Sequence, residues 1–330
     1  MARASEFDTI ARYFAPLSRG APGAFNLTND AAVWRPTQGM EAVITSDCLV
    51  AGVHFLADDP PASIAAKLLT VNLSDLAAMG AAPVGYTLAA AWPAEIDDTW
   101  IAAFAEGLGR AQENNGVVLF GGDTVSTPGP LTLTITAFGE AAAGRALSRS
   151  GAEAADDVYV SGTIGDAALG LRVLQGRLAP PSREAATYLA GRYREPTPRT
   201  RIGVGLAGLA SSAIDVSDGL AADLGHLAAG SGKCIDVRAA EVPISAAVAA
   251  CLEAEPELLE VVLGGGDDYE LAFTAAPDRR DAISHLAETA GVGIACIGTV
   301  RDAGDAGPGV RFTDAKGADV TPKSAGFRHF

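Results

Sequence analysis

Six aspartates share one setting, a short apolar or hydroxyl-bearing run that ends on a carboxylate. Asp30 lies in "LTNDAAV", Asp47 in "VITSDCLVAGVHF", Asp75 in "VNLSDLAAMG", Asp123 in "VVLFGGDTV", and Asp215 with Asp218 in "SAIDVSDGL". Their neighbours are small or polar: Asn29, Ser46, Ser74, Gly121, Gly122, Ser217 and Gly219. A single such aspartate is an ordinary turn residue, because its side chain bonds nearby backbone N–H groups. A recurring set has a second use. Mg2+ takes hard oxygen ligands in a near-octahedral shell and leaves positions for water and substrate phosphates. Carboxylates that meet repel one another and hold their protons unless divalent cations lie among them. Two readings therefore stay open at this point: turn residues, or a multi-Mg2+ site for phosphoryl transfer. His54 reads alone as a packed or capping histidine, and Arg149 in "LSRSG" as a surface residue.

Composition narrows the choice of ligand. Forty Asp and Glu against 24 Lys and Arg leave a formal charge of −16, which repels a phosphate backbone and argues against nucleic acid. Lysine is confined to Lys67, Lys233, Lys316 and Lys323, so phosphates handled here need metal ions as their main counter-charge. Cys48, Cys234, Cys251 and Cys296 are widely spaced, with no CxxC pair, and read as reduced core residues of a cytoplasmic protein. Glu6 and Asp8 interrupt the start where an export signal needs an apolar run. Residues 76–94 carry no charge, but Gly80, Pro83, Gly85 and Pro93 break them into a helix end, a turn and a buried strand, so no membrane segment is expected.

These side chains need a scaffold, and the first half of the chain alternates strand and helix patterns. Strands are expected at 42–47, 84–91, 117–121 and 131–139, with helices over 61–80 and 97–115, which makes a layered α/β or α+β domain. Asp59 is the expected N-cap of the 61–80 helix and Gly80 its exit, and Asn72 and Asp75 share one face of it. Residues 141–155 are small, charged and aperiodic and read as a linker. The division is thus 1–140, a linker, and 156–330, where "DVYVSG", "DAALGLRVL", a helix after Asp218 and "VVLGGGDDYELAFTA" suggest a second α+β domain. Two phosphate signatures fail on context. "GVGLAG" at 203–208 follows "PTPRTRI" and no strand, and reads as a small-residue helix face; "GSGKC" lacks the Walker glycine and the Ser or Thr after Lys233.

Together "NDAAV", "TSDCLVAGVHF", "KLLTVNLSDLAAMGAAP", "FGGDT", "SRSGA", "DVYVSGTIGDAALGL", "AIDVSDGLAADLGHL", "GGGDDYELAFT" and "GFRHF" resemble, in order and spacing, the thiamine-monophosphate kinases of the aminoimidazole-ribonucleotide-synthetase-like superfamily. The resemblance implies an N-terminal mixed sheet with helices that pairs with its twin in a homodimer barrel, a C-terminal α+β domain, and an active site in the cleft between them. It implies transfer from ATP to thiamine monophosphate, giving thiamine diphosphate. Matched position by position, Asp30, Thr45, Ser46, Asp47, Asp75, Asp123, Asp215 and Asp218 would hold several Mg2+ ions. Gly122, Asp123, Arg149 and Ser217 would meet ATP, and His54, Asp267 and Phe327 the thiamine phosphate. Three positions depart from the family pattern: Asn29 stands for an acid, Ala51 for a glutamate, and Asp267 for a glutamate of longer reach. Asn29 and Ala51 also motivate the alternative of a nucleotide-binding relative without catalysis, and aminoimidazole ribonucleotide synthetase is the nearest enzyme alternative. A selenophosphate synthetase would need a Cys and a Lys earlier than Cys48 and Lys67, and a hydrogenase-maturation relative a terminal Cys where Phe330 stands.

Overall fold

A computed structural model describes residues 5–323 and Gly326. The chain divides into two compact units, the first running to Leu76 and resuming over Ala81–Gly144, the second made of Ala77–Gly80 and the chain from Arg145 onward.

In the first unit a single turn, α1 (Glu6–Thr9), precedes β1 (Met40–Val50), α2 (Pro61–Ala78), β2 (Ala82–Trp92), α3 (Asp98–Asn115), β3 (Val118–Ser126) and β4 (Thr132–Ala142). The sheet order is β1-β4-β2-β3, with β2 and β3 parallel and the other pairs antiparallel. A parallel pair needs a crossover, which α3 supplies. Asp97 caps α3 by accepting the Trp100 N–H at 2.9 Å, and Gly116 at φ +67° ends it. At the start of α2 the Pro60 carbonyl accepts the Ile64 N–H, and the Asp59 carboxylate takes the Leu56 N–H at 2.9 Å.

Alternation along β4 buries Leu133, Ile135 and Ala137 on the face that also meets α2, whose Leu68, Leu69, Leu73 and Leu76 are fully buried. A Cβ on Gly139 of β4 would lie 3.2 Å from Leu76 Cδ1, so that approach is close. The opposite face of β1 is open, exposing Ala42, Ile44, Ser46 and Cys48. Cys48 is therefore not the core residue its type suggests, because strand period places it on the uncovered side; Cys296 is half-buried, and only Cys234 and Cys251 are buried.

The second unit contains β5 (Asp157–Ser161), α4 (Asp166–Leu174), α5 (Arg183–Arg194), α6 (Thr200–Leu206), β6 (Ser212–Asp215), α7 (Leu220–Ser231), β7 (Lys233–Arg238), α8 (Ala246–Ala254), α9 (Leu259–Gly264), β8 (Leu271–Ala275), α10 (Arg280–Ala290), β9 (Ile294–Asp302) and β10 (Gly309–Thr313). Its six-stranded sheet runs β10-β7-β9-β5-β8-β6 over a core that includes Val158, Val160, Ile214, Leu224, Ile235 and Ile297. "GVGLAG" lies on α6 as a packing face, where a Cβ on Gly203 would come within 2.1 Å of the Ala77 carbonyl. The registers Val160 with Ala272 and Asp215 with Leu271 bring the ends of β5 and β6 and the start of β8 to one sheet edge. The loops at 162–165, 216–219 and 265–270 gather there.

Candidate active site

In the first unit β1 carries Thr45 and Asp47 on the face toward α2. The Asp47 N–H donates to Asn72 Oδ1 at 3.0 Å, and the Asn72 amide is itself held by the Leu68 carbonyl at 2.9 Å. One turn further along α2, Asp75 accepts the Thr45 hydroxyl at 2.5 Å. The helical spacing of Asn72 and Asp75 thus docks two side chains onto one strand end. Asp47 and Asp75 come within hydrogen-bond reach of each other, and burial, followed by the Asp75 charge, pushes the Asp47 carboxyl up to about 6. Two carboxylates held together in this way, beside a hydroxyl, form a donor set suited to a hard divalent cation. Ser46 points the other way, its hydroxyl on β4 against the Ile135 carbonyl and the Thr136 hydroxyl, each at 3.1 Å.

Past β1 the chain turns through Gly52 at φ +79° and returns His54 against the strand end. The Val50 N–H donates to His54 Nδ1 at 3.0 Å, so that nitrogen carries a lone pair and the ring proton sits on Nε2. His54 is thereby a neutral, oriented N–H donor.

A cavity of about 480 Å3 lies along β3 and is lined by Phe14, Leu27, Trp34, Leu88, Phe120 and Phe138, with Asp30, Gly121, Gly122 and Asp123 supplying polar groups. Its aromatic rings suit a flat heterocycle. Gly122 has φ +156°, and a Cβ there would lie 1.8 Å from the Leu88 carbonyl oxygen, so no larger residue fits. Asp30 and Asp123 are exposed, Asp123 accepting the Thr124 N–H at 2.8 Å.

In the second unit Asp215 ends β6 buried, and Ser217 and Asp218 follow in a half-buried turn. Asp223 Oδ2 accepts the N–H groups of Ser217, Asp218 and Gly219 at 3.0, 3.1 and 3.0 Å. Burial, then the Asp218 charge, pushes the Asp223 carboxyl up to about 7 against those three amides. The turn is laced to the 265–270 loop by Asp267 N–H to the Ser217 carbonyl and Tyr269 N–H to the Val216 carbonyl, both 2.8 Å. Asp267 therefore stands next to the Ser217 and Asp218 turn. Arg149 is exposed in the loop after β4, and Phe327 lies outside the described residues. Among the described residues no three of His, Cys, Asp and Glu form a ready metal cage. In the first unit Asp47 and Asp75 meet as a pair, while Asp30 and Asp123 both line the cavity.

Residues 28–141 match the AIR synthase related protein, N-terminal domain, which spans the first-unit site from Asp30 to Asp123. A thiamine-monophosphate kinase of Caulobacter vibrioides is 42% identical over 328 residues, covering 98% of this chain and 91% of its own. The chain belongs to the thiamine-monophosphate kinase family. A thiamine-monophosphate kinase structure from Stenotrophomonas maltophilia is similar at 43% identity and a TM-score of 0.79, covering 86% of this chain and 89% of that one. AaThiL complexed with AMPPCP and TMP is similar at 29% identity and a TM-score of 0.78, over 98% of this chain and 97% of its own.

Within this kinase fold, side chains beyond the expected set shape the site. Asp223, Asp268 and Glu270 are buried polar residues that the motifs contain but do not single out, and buried Asn72 reads from the sequence only as sharing a helix face with Asp75. Asp223 had a visible signal, an acid in the first turn of a helix that follows Ser-Asp-Gly, where a carboxylate meets unsatisfied amides. Asp268 Oδ2 accepts the Gly165 N–H at 2.6 Å and Oδ1 the Ala167 N–H at 3.1 Å, capping α4 from far along the chain. Burial pushes its carboxyl up to about 8, against the two amides that favour the anion.

Proposed function

We propose that this chain transfers the γ-phosphoryl group of ATP to the phosphate of thiamine monophosphate, giving ADP and thiamine diphosphate. The observation that carries the reading is the like-charged pair Asp47 and Asp75, held at a strand end in a chain whose relatives of matching length are thiamine-monophosphate kinases. Asp47, Asp75 and the Thr45 hydroxyl fit Mg2+, and Asp30, Asp123, Asp215 and Asp218 are carboxylates of the same kind that would hold further Mg2+ ions. Ser46 would join them only through its main chain, because its hydroxyl is committed to β4. When bound, Mg2+ neutralises charge on the phosphates that must approach one another.

The chain's own groups do the rest. The cavity along β3 receives the adenine against Phe120 and Phe138, and Gly122 in its lining meets the nucleotide. Arg149 and Ser217 meet the ATP phosphates, and His54, Asp267 and Phe327 hold the thiamine phosphate. His54 offers Nε2–H as a donor and has its Nδ1 lone pair engaged by the Val50 N–H, so it orients the acceptor and forms no phospho-histidine. Transfer is direct and in-line, since the acceptor oxygen is already an anion and needs no general base. The first unit serves as the Mg2+- and ATP-binding part and the second completes the site. The open face of β1, with Met40 and Ile44 exposed, is the surface through which two copies pair as a homodimer. No helix among the described residues is long and apolar enough to cross a membrane, and the enzyme works in the cytoplasm.

ADP release with Mg2+ and ATP tests the reading. It should depend on added thiamine monophosphate, with thiamine diphosphate appearing in equal amount by chromatography, and free thiamine should not substitute. Release that ignores thiamine monophosphate, or equal turnover of thiamine, would overturn it.

A further inference from the structure

The segment Asp267-Asp268-Tyr269-Glu270 alternates in two respects. Asp268 and Glu270 are fully buried, whereas Asp267 and Tyr269 are half-buried and take positive φ, +71° and +51°. Left-handed backbone is costly for residues with a Cβ, most of all for a bulky one such as tyrosine, and persists only where surroundings impose it. The surroundings here are specific. Asp268 is bolted to the start of α4 through both carboxylate oxygens, and its carbonyl accepts from Arg192 at 3.3 Å. Glu270 is gripped by Arg199 through Nε at 2.6 Å and Nη2 at 2.5 Å, by Arg192 at 3.0 Å and by the Ser161 hydroxyl at 2.7 Å. A Cβ on Gly162 would lie 2.2 Å from Glu270 Oε1, so only glycine there leaves the carboxylate its place. Two immobile side chains thus fix the residues between and before them.

We propose that Asp268 and Glu270, with Arg192 and Arg199, are positioning residues that hold Asp267 and Tyr269 in left-handed backbone as one recognition pair for the acceptor substrate. The inference rests on the proposed kinase function, which already places Asp267 at the thiamine phosphate, and it adds Tyr269 as a specificity-determining residue. A carboxylate and an aromatic side chain two residues apart on one held segment are the residue types that suit a flat cationic heterocycle, the chemistry of a thiazolium ring, better than the polyanionic nucleotide. The pair therefore acts on one substrate and not on the other.

Steady-state kinetics against each substrate separate this role from general support. Tyr269→Asn keeps a residue that tolerates positive φ and deletes the ring; it should raise KM for thiamine monophosphate about tenfold with KM for ATP within twofold, and Tyr269→Phe should restore the wild-type value. Asp267→Gly removes the backbone strain and the carboxylate together, so it should melt no lower than wild type while losing acceptor affinity. Asp268→Asn sets an amide N–H against a backbone N–H and should show the same acceptor-only defect; if it does not fold, the Tyr269 and Asp267 variants decide the matter alone. Equal rises in both KM values, or an unchanged KM for thiamine monophosphate in Tyr269→Asn, would overturn the inference. Absence of wild-type turnover with thiamine monophosphate would instead overturn the kinase reading.

Discussion

Replacing Asp47 by asparagine should stabilise the metal-free protein while disabling it. In the folded chain the Asp47 carboxyl is raised from 3.8 to about 6 by burial and by Asp75. A carboxyl raised on folding makes the folded state weaker as pH climbs from about 4 through 6, and the loss persists above that. The gap between 3.8 and about 6, at about 1.36 kcal/mol per pH unit, is worth about 3 kcal/mol. Partial exposure of the pair lowers this to about 1–2 kcal/mol, which for a unit of this size is a rise of about 3–6 °C in Tm. The Asp47→Asn variant keeps the main-chain bond to Asn72, and its new side-chain amide can donate to Asp75, so nothing offsets the gain. The assay is thermal unfolding at pH 8 in EDTA, repeated at pH 4, where Asp47 is protonated in the folded wild type and the two proteins should converge. Added Mg2+ should raise the wild-type Tm more than that of the variant, because only wild type offers the paired site, and kcat of Asp47→Asn should fall by about 10²-fold or more. A variant that melts below wild type in EDTA at pH 8, or that gains as much from Mg2+, would refute the reasoning.

Gly122→Ala places a methyl group 1.8 Å from the Leu88 carbonyl oxygen, so it should destabilise by about 3 kcal/mol or more, read as a lower Tm together with weakened ATP binding. Asp223→Ala strands the three amides of Ser217, Asp218 and Gly219; a loss of about 1–3 kcal/mol in stability is expected, with kcat falling further than that of a surface control such as Asp281→Asn. His54→Phe removes the Nε2–H donor and should raise KM for thiamine monophosphate about tenfold while leaving KM for ATP nearly unchanged, measured by initial rates against each substrate in turn.

Local grammar carried much of this fold. The strand that ends on Asp47, the long helix from Pro61 and the strands around it were legible because period and punctuation are local properties. The shared face of Asn72 and Asp75 was legible for the same reason, although its target on β1 was not. What the sequence hid is long-range. Asp268 looks like one more acid in "GGGDDYEL", and only the fold shows that its partners are the amides of Gly165 and Ala167. Cys48 looks like a core residue until the open face of β1 is known. Asp97 opens the helix expected over 97–115, and the fold shows that its carboxylate caps α3.

Direct transfer from ATP to an existing phosphate is the central claim, and a single-turnover reaction with γ-³²P-ATP tests it. Enzyme in excess over ATP is mixed with Mg2+ and thiamine monophosphate, quenched in acid at intervals, and separated into protein, nucleotide and thiamine fractions. Label should pass from ATP to thiamine diphosphate with none on the protein at any time, and none should leave ATP when thiamine monophosphate is omitted. Acid-stable or base-stable label on the protein that forms with ATP alone, and is then chased into product, would contradict it.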